Sequence, residues 1–245
     1  MIRLVICILA LLSPTALTAA PARTEVLVLA TMHGLHKTSY GYSYETLYDV
    51  VSRFHPDYVG VEIRPEDMGR DPGYLAANYP AEMIHAAQVW GPRAFGFDWL
   101  GDDVAGAPIP GDWWASRSPL KRLERALDQD ARSKDEQLAA IDAARQKILA
   151  SATPASLNDG RYDRLSDDYY ARFRAVTAGS KFAPLADFYT DRDRHIAMAI
   201  AAAIRAHPGA RIVVLTGADH RGAVVRYLSQ DLGDTVRIAP VQRDD

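Results

Sequence analysis

The chain carries one cysteine, Cys7, and it falls inside an apolar run near the N-terminus. Beyond that run there is no thiol, which excludes disulfides, zinc–cysteine clusters and a cysteine nucleophile. Any metal would have to be held by His, Asp or Glu, and stability has to come from a packed core. Positive charge is not in excess either: 28 Lys and Arg against 31 Asp and Glu leave a formal net charge of −3. The electrostatic footprint of a nucleic-acid binder is missing, and no nucleic-acid partner is expected. The N-terminal apolar run, Leu4 to Leu12, is too short for a comfortable membrane span. Also absent are a GxSxG elbow, a Walker loop, GxGxxG and HExxH, which removes the serine-hydrolase, nucleotide-binding and zincin signatures.

What is present can build a core: 48% of residues are hydrophobic and 24% charged, over 245 residues that suit one large domain with an insertion. Arg3, the run Leu4 to Leu12 and the small residues Ala16 to Ala22 have the order of an export signal. Cleavage is expected after Ala22, leaving one domain over residues 23–245 with no stable membrane span. Leu4-Val5-Ile6-Cys7 is rejected as a lipoprotein box because Ile6 is not small. A disulfide-free exported chain fits the periplasm, or secretion by a bacterium.

The runs Val26-Leu27-Val28-Leu29 and Ile212-Val213-Val214-Leu215 are unbroken, β-branched and too short for helices, so they read as fully buried strands. Tyr58 to Val61 is a third strand ending in Glu62, and Arg93 to Phe97 a fourth ending in Asp98. Between them, Tyr44 to Phe54 has helical spacing with Ser43 as its cap, and Pro80 opens a helix through Trp90. The stretch with Pro65, Gly69, Pro72 and Gly73 reads as a loop. Helices are expected over Asp112 to Ala150, Ser166 to Val176 and Leu185 to Ala206, with a linker from Thr153 to Gly160. A helix from Arg221 to Leu232 and a strand from Thr235 to Ala239 close the chain. The β-α-β-α-β rhythm predicts an α/β fold: a mostly parallel central sheet with flanking helices and a helical insertion at about 112–180, a lid or an arm on the main body.

In such a sheet, ligands bind beyond the carboxyl ends of the strands. His33 and His220 follow two buried strands there, and an imidazole is both a metal ligand and a base near neutral pH. Glu62 ends an apolar strand, where a carboxylate is costly unless paired or coordinated. Arg64, two residues on, offers it an ion pair. Asp98 has similar placement. His36 lies near His33, and Arg221 follows His220. Arg192 and His195 share a helix face, and Arg192 could aim its guanidinium fork at a carboxylate or an oxyanion. By itself, Asp191-Arg192-Asp193-Arg194 reads as a solvated charge run.

These residues carry a resemblance. Ala30-Thr31-Met32-His33, Pro56-Asp57-Tyr58-Val59-Gly60-Val61-Glu62, Asp191-Arg192-Asp193 and Gly217-Ala218-Asp219-His220 stand in the order of motifs of the TraB/PrgY/TIKI superfamily. Its wider relatives include erythromycin-esterase-like and ChaN-like haem-binding proteins. The match departs at Ala30, where the family has Gly, and in the Arg downstream of the Glu, which Arg64 or Arg70 could each supply. The resemblance implies an α/β fold with a helical insertion and a site built from both His, the Glu and the Arg.

It further implies a metal-dependent hydrolase of a peptide or amide bond. His33, His220 and Glu62 would hold a divalent ion, manganese or cobalt. Glu62 alternatively serves as base, Arg192 stabilises the oxyanion, and Asp98 orients a ligand His from behind. His36, Arg64 and Arg221 are candidates for substrate contact. Two further readings stand beside it: a metal-free ester hydrolase with a His base and Glu62 positioning the water, and a non-catalytic protein that binds a peptide or haem through His33 or His36. The partner in each case is a peptide or small molecule.

Overall fold

A computed structural model describes residues 23–241. The expected export signal, residues 1–22 with Cys7, lies outside the described residues. Five strands form one all-parallel sheet: β1 (Thr24–Thr31), β2 (Tyr58–Val61), β3 (Ala94–Gly96), β4 (Arg211–Gly217) and β5 (Val236–Ile238), in the order β3-β2-β4-β1-β5. The α/β class is as the sequence predicts. β1 and β4 pair over seven residues from Glu25↔Arg211 to Thr31↔Gly217, so their carboxyl ends finish level.

Successive side chains of a strand face opposite ways, and here both faces are covered. Leu27, Leu29, Val59, Val61, Val213 and Leu215 pack on α1 (Tyr44–Phe54) and α3 (Ala81–Trp90). Val26, Val28, Ile212 and Val214 pack on α8 (Ala183–Ala206) and α9 (Ala218–Leu232). Each fully buried Leu or Ile contributes about 1.5–3 kcal/mol by leaving water. Gly60 is required by close approach: a Cβ there would stand 2.7 Å from the Phe95 ring.

The chain leaves β1 over one face of the sheet, through α1, and leaves β4 over the other, through α9. The crevice between these two neighbours is thus a topological switch point, the place where parallel sheets take ligands.

Local chemistry sets the boundaries. Ser43 caps α1 by accepting from the Thr46 N–H at 3.2 Å, and His55 ends it in the left-handed region, φ 51°. The expected loop around Pro72 holds a helix, α2 (Pro72–Asn78), with Asp71 accepting from Tyr74 N–H and Pro72 at the first helical position. The middle of the chain is helical as expected. It comprises α4 (Pro119–Asp128), α5 (Glu136–Ala150), a short α6 (Pro154–Leu157) within the expected linker, and α7 (Arg161–Thr177). Leu138, Phe173, Phe182 and Leu185 give these helices an apolar cluster shared with α8, and α7 packs on α5, α8 and α9. Among the described residues no helix is long and apolar enough to cross a membrane.

Candidate active site

A cleft of about 460 Å³ opens at the carboxyl ends of the strands, lined by His33, Glu62, Asp98, Arg192, Gly217 and His220 among others. Five side chains far apart in sequence, those of His33, Glu62, Asp98, Arg192 and His220, therefore meet. His33 opens a 3-10 turn (His33–Lys37) just past β1 with φ 49°, a left-handed backbone uncommon for a residue with a side chain. Such a conformation costs about 1–3 kcal/mol and persists only where the surroundings enforce it. His36 supplies that enforcement. Its Nε2 accepts from the Met32 N–H at 2.8 Å and its Nδ1–H donates to the Tyr42 carbonyl at 2.7 Å.

Glu62 is the hub. Its Oε2 accepts from the Gly217 N–H at 2.7 Å and from Thr216 Oγ1 at 3.1 Å, and its Oε1 accepts from Arg192 Nη2 at 2.9 Å. His220 Nε2 stands 3.7 Å from the same Oε1. Burial alone would raise the Glu62 carboxyl, but His220, Arg192, His33 and the Gly217 N–H outweigh it and hold it down to about 2. It stays ionised.

Each imidazole is backed by a carboxylate. His220 Nδ1 lies 2.6 Å from Asp193 Oδ1, and His33 Nδ1 lies 2.8 Å from Glu82 Oε1. A ring that gives its Nδ1–H to a carboxylate turns Nε2 to the other side, here the cleft. Burial disfavours both imidazolium forms. For His33 the bonded Glu82 and the facing Glu62 overcome it, and for His220 Glu62 and the Asp193 bond do so, raising both above 6.5. Gly217 admits His33: a Cβ on it would lie 2.8 Å from His33 Nε2 and 3.5 Å from Glu62 Oε2. Glu82 Oε2, behind His33, is buried with no hydrogen-bond partner among the described residues.

Arg192, from α8, donates to Asp98 Oδ1 through Nε at 3.0 Å and Nη2 at 2.9 Å, and its Nη1 bonds none of the described residues. Asp98 therefore aims a guanidinium; it touches neither imidazole and does not orient a histidine, as the sequence reading had it. Burial raises the Asp98 carboxyl despite Arg192, and burial working against Arg192 is outweighed by Asp98 and Glu62.

The other candidates lie elsewhere. His36 is buried outside the cleft with both ring nitrogens engaged, which leaves none for a metal or a haem iron. Arg64 is buried in an ion pair with Asp67 at 2.6 Å, not with Glu62, and donates to the carbonyls of Val104 and Ala107. It pins the loop after β3. Arg221 donates to the Val28 carbonyl at 3.0 Å and pairs with Asp163, clamping α9 to β1 and α7. His195 stacks on Trp99, ring centroids 4.2 Å apart, away from the cleft. Two groups escaped the sequence reading: Asp193, hidden in a run of alternating charge, and Glu82, an acid in the first turn of α3.

The divalent ion implied by the resemblance fits only in part. Two imidazole nitrogens are offered, but both oxygens of the third ligand, Glu62, are already engaged, one of them by a guanidinium at 2.9 Å. Among the described residues no three His, Cys, Asp or Glu side chains are placed to hold a metal ion. Compared with known proteins, the chain matches no family model, no curated protein and no solved structure. The likeness to the TraB/PrgY/TIKI superfamily rests on the four motifs alone.

Proposed function

We propose that the protein is an exported hydrolase of acyl substrates, esters or amides, in which paired imidazoles activate water and protonate the leaving group. One observation carries the reading: two imidazoles, each held by a carboxylate at Nδ1, turn Nε2 into one cleft beside an ionised Glu62 and a fixed guanidinium.

His220, the more buried ring, is the base. A water hydrogen-bonded to the remaining lone pair of Glu62 Oε1 gives a proton to neutral His220 Nε2 as its oxygen adds to the substrate carbonyl carbon. The carbonyl π pair moves to oxygen, and that oxyanion meets Arg192 Nη1 and the positive end of α9. His33, whose side chain is 40% exposed, is the acid. Protonated, it delivers its Nε2 proton to the leaving oxygen or nitrogen as the carbon–heteroatom bond breaks. The carboxylates around them raise both rings above 6.5, and the working state is the one in which His33 carries a proton and His220 does not.

The test compares activated and unactivated leaving groups on the residue 23–245 chain. His220→Ala should lose about 100-fold or more in kcat on both p-nitrophenyl and alkyl esters, since the base is needed for each. His33→Ala should lose comparably on the alkyl ester and far less on the p-nitrophenyl ester, whose leaving group needs no proton. Turnover should survive exhaustive chelation. No turnover of any ester or amide overturns the reading, and turnover abolished by chelation and restored by manganese or cobalt replaces it with the metal-dependent one.

A further inference from the structure

Away from the imidazoles, the cleft has a second wall made of tyrosines, Tyr162 and Tyr170 from α7 and Tyr189 from α8. Asp219, in the first turn of α9, lies against it. Arg145, the Tyr162 hydroxyl at 2.8 Å and the Ser166 hydroxyl at 3.3 Å all donate to its Oδ1. Oδ2 bonds none of the described residues, and the side chain is 37% exposed in the cleft. Set against the Arg145 guanidinium, the carboxylate has one oxygen to spare.

The rings beside it are neutral hydroxyaryls: burial first, and the Asp219 carboxylate second, push the Tyr170 hydroxyl well above 10. That hydroxyl bonds none of the described residues. The Tyr170 and Tyr189 rings stand 5.5 Å apart at 52°, forming a corner that lines the cleft. A cation is attracted to the face of an aromatic ring, most strongly where water is excluded. The wall already takes one, since the Arg145 guanidinium lies 5.4 Å over the Tyr162 ring. Charge balance points the same way. Glu62, Glu82, Asp98, Asp193 and Asp219 stand in or behind the cleft wall, against Arg145, Arg192 and two imidazoles. Carboxylates stay in surplus even with both rings protonated, so an anionic substrate is repelled and a cationic one is welcomed.

We infer that Asp219 and the Tyr170/Tyr189 corner form a subsite for an ammonium group, and that the natural substrate is an ester or amide carrying an amine. This rests on the hydrolase reading for the word substrate; the subsite itself stands on its own geometry. Binding separates the two. Choline and its neutral isostere 3,3-dimethylbutan-1-ol are titrated calorimetrically into the residue 23–245 chain. Wild type should prefer choline by about tenfold or more, in keeping with a desolvated cation–π contact plus a carboxylate.

Asp219→Asn, which keeps an acceptor for Tyr162, should erase the preference. Tyr170→Leu should weaken choline by about tenfold while leaving the alcohol unchanged. Equal binding of the two probes by wild type overturns the inference, as does a preference retained in Asp219→Asn. Should Asp219→Asn not fold, wild type and Tyr170→Leu decide the matter. A choline preference with no turnover of any ester would sink the hydrolase reading and leave the subsite. Turnover indifferent to a free or acetylated amine on the acyl group, with no choline preference, would do the reverse.

Discussion

Asp193 decides which nitrogen of His220 faces the cleft, because its carboxylate holds Nδ1 at 2.6 Å. Asp193→Asn offers an amide that can bond the ring in either tautomer and no longer supports the imidazolium. We expect kcat to fall about 10- to 100-fold, the usual cost of losing a partner behind a functional imidazole. The acid limb of the pH–rate profile should also move to lower pH, since a carboxylate that raises His220 is gone. A purely structural role for Asp193 would lower the melting temperature and leave that limb in place.

The same residue shows what a sequence conceals. His33, Glu62, Asp98, Arg192 and His220 were readable because four of them end apolar runs and the fifth opens a charged helix stretch. Asp193 sits in Asp191-Arg192-Asp193-Arg194, where alternating charge is the ordinary mark of a solvated face, and only the fold of α8 over the sheet turns two of those four inward. His36 and Arg221 misled for the opposite reason. Proximity in sequence to a site histidine says nothing about direction, and both point into the body of the protein, where they hold the turn after β1 and the start of α9.

Among elements, the junction of β4 and α9 bears most on function. Gly217 has φ −52° and ψ 142°, angles any residue accepts, so its glycine is not needed for the backbone. It is needed for space: a Cβ would lie 2.8 Å from His33 Nε2. The clash falls on the far end of one side chain, which can swing. Gly217→Ala should therefore fold with a melting temperature close to wild type, yet lose about tenfold or more in kcat as His33 is pushed off line. Equal losses of stability and activity would instead mean that the junction itself is strained. Gly60→Ala makes the contrast, because its Cβ meets the packed Phe95 ring at 2.7 Å and should cost about 1–3 kcal/mol of stability. Most elements were legible from periodicity and caps, down to the ends of α1. The helix α2 was missed because prolines and glycines around it read as a loop, although Asp71-Pro72 had the form of a helix start.

At the scale of the whole molecule, the cluster around Glu62 ties stability to pH. The Glu62 carboxyl is about 2 in the folded state against 4.5 for the free group, so it stabilises the fold above pH 4.5 and loses that contribution as pH falls toward 2. His33 and His220 are raised above 6.5, so their contribution is complete below pH 6.5 and is lost as pH rises through their folded values. Asp98, raised by burial first and also by Glu62, acts in the opposite sense to Glu62, and its relief in Glu62→Gln trims the gap. Glu62→Gln removes the carboxylate that both imidazoles face. The melting-temperature gap between wild type and Glu62→Gln should widen from pH 2 to 4.5, stay broad to pH 6.5, and narrow above it as the rings lose their protons. At its widest the difference should be a few kcal/mol, and a protein of this size shifts by about 2–4 °C for each. Calorimetric melts of the two proteins across that range check the sign on both sides. A gap that does not vary with pH would mean that Glu62 acts by hydrogen bonding alone, and that the strand ends are held together without the charge network from which the proposed chemistry draws its acid and its base.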